Sequence, residues 1–268
     1  MITYPFSYVR VTSLSEAQAL IGKTPDAKIL AGGQTLIPTM KQRLANPPQL
    51  IDISGLKELA FIRIGKSGVT IGAASKHADV ATSADIAKAI PALAGLAAEI
   101  GDPAVRHMGT IGGSLANNDP AADYPAAALG LGATLKTTKR EIAADDFFTG
   151  MFATALDDGE IVTEINFPIP ERAGYAKFPN PASRYAMVGV FVAKTKDGVR
   201  VAGTGAGPCV FRVPQMEDEL AKSFVPDAIA NITVPADDLN SDLHGSAEYR
   251  AHLITVMAKR AVIAANGS

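Results

Sequence analysis

Cysteine is nearly absent from this chain: Cys209 is the single one among 268 residues. One thiol excludes an internal disulfide, a cysteine-ligated iron–sulfur cluster and a cysteine-rich zinc site within the chain. Histidine is scarce as well. His77, His107, His244 and His252 form neither an HxxxH spacing nor a His-plus-carboxylate constellation of the metalloprotease kind, so no metal site is expected. Charged residues make up only 19% of the sequence, the formal net charge is -2, and no Lys/Arg cluster is interleaved with aromatics. The electrostatic footprint of a nucleic-acid binder is therefore missing. No run approaches the ~20 apolar residues of a membrane span, and MITYPFSYVRVTSLSEA lacks the basic region and apolar core of a secretion signal. A cytoplasmic protein is the expectation. There is also no internal repeat, no GxxxxGK[ST] and no GxSxG, which leaves P-loop and α/β-hydrolase readings without local support.

What is abundant is apolar residue, 47% of a chain long enough for roughly two or three domains. Residues 1–56 read as strand, helix, strand, helix, strand. Ser13 stands three residues before Glu16, a capping-box spacing, and Gly22 closes the pattern, which predicts a helix over residues 14–21. AKILAG, from Ala27, is a short buried strand. Pro38 fits the first turn of a following helix, Asn46-Pro47-Pro48 stops it, and LIDIS is the next strand. A second unit, residues 57–170, opens with FIRIGKSGVTIGA as a hairpin. Alanine-rich helices follow within residues 77–89 and 91–100, then a glycine loop, a helix over residues 124–131, a strand through ATLKTTKREIAADDFF, and a last strand, GEIVTEINFPIP. The third unit, residues 171–268, has a hairpin turning at Asp197-Gly198 and a C-terminal helix capped by Ser246 and closed by Gly267.

Two glycine pairs stand out. KILAGGQTLIPTMKQRL places Gly32 and Gly33 between a strand and a helix, with Gln34 and Thr35 as further donors. Adjacent glycines there permit positive φ and let a pyrophosphate approach the backbone N–H groups. MGTIGGSLANNDPAADYP repeats the arrangement at Gly112 and Gly113, flanked by Thr110 and Ser114 and followed by Asn117, Asn118 and Asp123. A single pair can merely make a turn; two point to a dinucleotide held between two loops. Asp119 and Asp123 can serve as turn and cap residues, or Asp123 can accept hydrogen bonds from ribityl or ribose hydroxyls. AGTGAGPCVF, with Gly203, Gly205 and Gly207, is a decoy for the Rossmann fingerprint. Its third glycine comes too early and Pro208 with CVFRV follows where the helix must be.

Ala31-Gly32-Gly33-Gln34-Thr35-Leu36, Thr110-Ile111-Gly112-Gly113-Ser114, the downstream DPAAD and SRYAMVGVFVA resemble the FAD-binding medium subunit of the molybdenum hydroxylases. That group contains carbon monoxide dehydrogenase and the flavin domain of xanthine dehydrogenase. The resemblance covers essentially the whole chain. It implies an α+β fold: a two-part FAD-binding domain of the vanillyl-alcohol oxidase (PCMH) type, then a small α/β domain resembling the C-terminal domain of the CO dehydrogenase flavoprotein. It also implies that Ile29, Leu30, Ala31, Gly32, Gly33, Gln34, Thr35 and Leu36, with Thr110, Ile111, Gly112, Gly113 and Ser114, contact the FAD diphosphate and its surroundings. Asn117 and Asp123 would reach the ribityl or ribose region, Val162 and Lys177 the flavin or adenine edge, and Tyr185 would cover the ring. On the residues alone, Lys177 reads equally as a solvated surface lysine and Val162 as core.

The resemblance makes the chain an oxidoreductase subunit in which flavin does the redox chemistry, and no catalytic side chain is expected. FAD is expected to be non-covalent, Gln34 standing where some wider relatives carry histidine. Substrate would be oxidised at molybdopterin on a large subunit, and electrons would arrive through two [2Fe–2S] clusters on a small subunit. Cys209 alone cannot ligate such clusters, so they fall to another chain, and the single cysteine argues against the branch with an extra [4Fe–4S] cluster, as in 4-hydroxybenzoyl-CoA reductase. A dimer of heterotrimers is the implied assembly, and a stand-alone FAD-dependent oxidase or reductase of the same fold is the alternative. The steric argument expects valine at Gly32 or Gly112 to expel FAD while sparing the fold, and Asp123→Ala to weaken FAD by about 1–3 kcal/mol.

Overall fold

The computed structural model describes residues 2–66 and 68–267. Its first unit runs β1 (Ser7–Arg10), α1 (Leu14–Ile21), β2 (Lys28–Leu30), α2 (Leu36–Lys41) and β3 (Gln49–Asp52). The three strands are parallel in the order β1-β3-β2, and parallel neighbours need crossovers, supplied by the two helices. The Ser13 hydroxyl accepts the Glu16 N–H as the capping spacing predicts. The Glu16 carboxylate turns instead to the N–H and hydroxyl of Thr12, one residue before the cap. The helix α2 stops before the Asn46-Pro47-Pro48 signal is reached, because Arg43 takes φ 61° just beyond it.

The second unit opens with β4 (Ile62–Ile64) and β5 (Val69–Gly72), paired antiparallel as the hairpin reading requires; Ser67, within its turn, lies outside the described residues. Helices α3 (His77–Thr82), α4 (Ala84–Ala89), α5 (Pro91–Ala98), α6 (Pro103–Arg106), α7 (Ile111–Asn117) and α8 (Tyr124–Leu131) follow. Then come β6 (Thr134–Thr137), β7 (Glu141–Ala143), α9 (Ala144–Phe147), β8 (Phe148–Gly150), β9 (Ala153–Thr154) and β10 (Val162–Phe167). The last of these returns to the middle of an antiparallel sheet ordered β4-β5-β10-β6-β7. Two expectations are corrected here. The helical stretch at residues 77–89 is split at Ser83, whose hydroxyl accepts the Ile86 N–H and starts a new helix. The strand expected through ADDFF is broken by α9, since Ala144 and Phe147, three apart, are both buried while Asp145 turns out to Arg200.

The third unit is an antiparallel sheet of β11 (Arg172–Pro179), β12 (Ala186–Thr195), β13 (Gly198–Thr204) and β14 (Phe211–Arg212), with α10 (Pro214–Lys222) and α11 (Ala247–Ala265) packed on it. Thr195 pairs with Gly198, so Lys196 and Asp197 make the hairpin turn, one residue earlier than the Asp-Gly signal suggests. Every residue of α8 is buried, because this helix lies between the helices of the second unit and the inner face of the third sheet, which adds Phe191, Ala193 and Ala202 to the same core. A helix apolar on all sides, YPAAALGL, is what that position requires. No helix among the described residues is long and apolar enough to cross a membrane.

Candidate functional site

The β2–α2 loop of the first unit faces α7 of the second across a cleft of about 670 Å³, inside the range of roughly 300–1,000 Å³ usual for small-molecule sites. Ile29 through Leu36 form one wall; Thr110, Gly112, Gly113, Ser114 and Asn117 form the other. Asp123, Val162 and Tyr185 also line the space. Ile111 and Lys177 do not. Ile111 is fully buried in the core, and Lys177 stands behind Asp123 with its side chain 1% exposed, so it is not the solvated lysine that the sequence equally allowed.

The two glycine pairs differ in kind. Around Gly32 and Gly33 the chain is a loop, and the N–H groups of Gly32, Gly33, Gln34 and Thr35 find no acceptor among the described residues. Gly32 and Gly33 are half-buried and Gln34 and Thr35 exposed, and four consecutive free N–H groups on a cleft wall are the geometry that suits an anion. Around Gly112 and Gly113 the chain is already helix. Thr110 caps α7 through the Gly113 N–H, at 3.2 Å, while the N–H groups of Ile111, Gly112 and Ser114 go to Ser75, Ala73 and Thr110 carbonyls. The second motif thus offers side chains rather than backbone. Thr110, Gly113, Ser114 and Asn117 recur at helical spacing on the cleft side, and Ile111 and Leu115 point into the core. Ser114 and Asn117 make no side-chain hydrogen bond among the described residues, which leaves their donors to a ligand.

The steric expectation for the glycines is corrected. A Cβ at Gly32 would come within 2.2 Å of the Met108 carbonyl oxygen, and one at Gly112 within 2.5 Å of the Ala73 Cβ. These glycines are small so that the two walls can touch each other and so that α7 can lie on Ala73, and a side chain at either position disturbs the fold instead of sparing it. Gly33 is a different case, with φ +68°, the left-handed geometry that turns the loop.

For Asp123 it is the capping alternative that is overturned. It gives no side-chain cap to α8. Its carboxylate accepts from the Tyr175 hydroxyl and from Lys177 Nζ, 3.0 Å away, with both charged side chains at most 5% exposed. Lys177 also donates to the Glu99 carbonyl at 3.1 Å. Burial pushes the Asp123 carboxyl up; the Lys177 charge and the two hydrogen bonds oppose it. The result is a buried ion pair that braces β11 against the start of α8 under the cleft floor.

Two more titratable groups border the cleft. His77, held neutral by burial and by the Arg106 charge, has its pKa lowered to about 4, and its Nδ1 lacks a hydrogen-bond partner. Glu160 is held down at about 2: burial works against ionisation, but Arg140, the Thr137 hydroxyl and the Asp157 N–H together prevail. The full positive charges lining the cleft are Lys28 and Arg184, against Asp119, Asp123, Asp157, Asp158 and Glu160. An anionic ligand here depends on the neutral amide cradle more than on charge. Among the described residues no cluster of His, Cys, Asp or Glu could hold a metal ion.

A free-amide loop set against the polar face of a helix, across a cleft of small-molecule size, fits the family described as "FAD binding domain in molybdopterin dehydrogenase", which matches residues 4–170. The chain belongs to this family. Over nearly its whole length it is similar to medium chains of such dehydrogenases. It is 36% identical to the carbon monoxide dehydrogenase medium chain of Afipia carboxidovorans, with 98% of this chain and 97% of that one covered. It is 34% identical to the glyceraldehyde dehydrogenase medium chain of Sulfolobus acidocaldarius, with 96% and 98% covered. A chain of the CO dehydrogenase from Oligotropha carboxidovorans superposes with a TM-score of 0.91 at 33% identity, covering 100% of this chain and 99% of the other. A chain of quinoline 2-oxidoreductase from Pseudomonas putida 86 gives 0.90 at 29%, with the same coverage. The α+β architecture is that of the CO dehydrogenase flavoprotein, and the protein is an FAD-binding medium subunit of molybdenum hydroxylase type, an oxidoreductase component.

The lining also includes Phe152, Arg184 and His77, none of which the glycine motifs indicate. Phe152 and Arg184 are non-glycine residues with positive φ, 53° and 62°. Neither sits in a sequence pattern that announces such a backbone, so only the three-dimensional arrangement finds them.

Proposed function

We propose that this chain is the electron-transfer subunit of a heteromeric molybdenum hydroxylase, taking electrons from [2Fe–2S] clusters of a partner subunit and passing them to an external acceptor. The observation that carries the reading is the run of four unpaired amides at Gly32–Thr35, opposite the free Ser114 and Asn117 side chains. When bound, FAD supplies the redox chemistry. The chain's own residues hold it. The amide cradle takes the diphosphate, Ser114 and Asn117 supply hydrogen bonds beside it, and Val162 and Tyr185 give apolar contact along its length. Asp123, on the cleft lining, takes hydrogen bonds from the ribityl or ribose hydroxyls, and Lys177 acts from behind it, fixing the start of α8 against β11. With no cysteine besides Cys209, the clusters belong to a small iron–sulfur subunit, and substrate oxidation to a large molybdopterin subunit. A dimer of heterotrimers is the assembly this implies, and FAD is bound without a covalent link.

The test is a visible absorption spectrum of the purified protein, followed by denaturation. A two-band flavin spectrum with free FAD in the supernatant supports the reading. A colourless protein that also refuses added FAD overturns it. Unaided oxidation of a purine, an aldehyde or carbon monoxide by this chain alone would refute the division of labour while leaving the cofactor in place.

A further inference from the structure

The turn joining β8 to β9 exposes two large apolar residues, Met151 and Phe152, at 51% and 57%. Their neighbours Phe147, Phe148, Ala155 and Leu156 all pack into or against the main core, whereas neither turn residue does. Core packing therefore does not account for them. Phe152 has φ 53°, a left-handed conformation that a bulky side chain keeps only when its surroundings impose it.

The imposing residue is Asn118. It closes α7 in the left-handed conformation itself, at φ 43°, and is 1% exposed. Its side-chain amide donates to the carbonyls of Gly150, at 2.8 Å, and Ala153, at 2.7 Å, the two residues that flank the turn. Its own carbonyl accepts the Phe152 N–H at 3.2 Å. One buried residue at the end of the cleft-facing helix thus clamps a two-residue turn by three hydrogen bonds. Asp119 lines the cleft with Phe152 and Tyr185, and two residues on the Ala121 carbonyl accepts the N–H of Ala186, the neighbour of Tyr185, at 3.4 Å. Phe152 and Tyr185 are therefore both tied to the short stretch Asn118–Ala121 on the cleft lining.

We propose that Phe152 packs on the isoalloxazine ring of bound FAD and that Asn118 is the positioning residue that latches it there. The inference rests on the FAD reading above. A strained, exposed aromatic held by a dedicated clamp at a cleft lip is pre-organised to meet a planar ligand, and ring contacts of this kind are favourable in offset or edge geometry.

The experiment measures FAD affinity, flavin fluorescence and the visible band shape of the purified protein for wild type, Phe152→Ala, Phe152→Tyr and Asn118→Ala, with ADP as a competitor for the adenine half. The expected result is about a tenfold weaker FAD affinity for Phe152→Ala with an altered flavin band. Phe152→Tyr should restore both, Asn118→Ala should reproduce the loss, and the double variant should lose no more than either alone. ADP affinity should not change. Wild-type affinity and spectrum in Phe152→Ala, a side chain exposed enough that folding is not at stake, overturns the proposal by itself. An equal weakening of ADP also overturns it, placing the ring over adenine. A wild-type protein that binds no FAD overturns this proposal together with the reading on which it stands.

Discussion

Replacing Lys177 by methionine tests the buried brace under the cleft. Methionine keeps the length of the side chain and removes the charge. The Asp123 carboxylate then remains 5% exposed with the Tyr175 hydroxyl as its one side-chain donor. Breaking a buried pair by removing one partner costs about 3–5 kcal/mol, because the surviving charge is left uncompensated. For a chain of this size about 1 kcal/mol moves the melting temperature by roughly 2–4 °C, so a fall of about 10 °C is expected. The pH dependence has a defined sign. Burial already holds the Asp123 pKa above its ordinary value against the Lys177 charge, and with that charge gone it rises further above the unfolded value. The folded state then binds the proton more tightly than the unfolded state, so stability falls as pH rises. Lys177→Met should therefore lose least near pH 4 and most near neutrality, and Asp123→Leu in the same background should recover part of the loss. Thermal melts at several pH values decide the matter. A single variant within about 1 kcal/mol of wild type at pH 7 would mean that the pair is solvated and braces nothing.

Three other outcomes follow from the same geometry. Gly32→Ala and Gly112→Ala should lower thermal stability even without FAD, since the added Cβ meets the Met108 carbonyl or Ala73; melts of the flavin-free protein that match wild type would show that the walls can part without cost. His77, with a folded pKa of about 4 against an ordinary 6.5, stabilises the fold above pH 6.5 and loses that contribution as pH falls toward 4, by about 3 kcal/mol in all. His77→Phe should flatten this part of the stability profile, measured by urea denaturation. Glu160, held at about 2 against 4.5, acts in the same direction lower down: Glu160→Gln should remove the stability loss between pH 4.5 and 2, and an unchanged acid limb would refute its pairing with Arg140.

Much of the fold was legible because its signals are local. Ser13, Ser246 and the apolar blocks between them set α1, α11 and the strands, and period-2 and helical patterns need no knowledge of distant residues. What was not legible depended on partners far along the chain. Glycine at positions 32 and 112 reads as ligand space in sequence, yet Gly32 answers to Met108 and Gly112 to Ala73. Asp123 reads as a cap, yet Tyr175 and Lys177, more than fifty residues on, claim its carboxylate. The split of residues 77–89 at Ser83 was local and could have been found, for Ser83 with Asp85 is a helix-start signal inside an alanine run.

The glycine pairs show how two similar motifs come to do different work. In a loop, an AGGQT sequence leaves consecutive N–H groups without partners among the described residues. In a helix, TIGGS consumes its own N–H groups through the Thr110 cap and the Ser75 and Ala73 carbonyls. It has only side chains left to offer. On the function proposed above, the first motif would hold the anionic middle of the cofactor and the second its hydroxylated flanks. Exchanging Thr110 for valine ought then to loosen α7 and leave the cradle amides free, so FAD affinity should fall less than stability does.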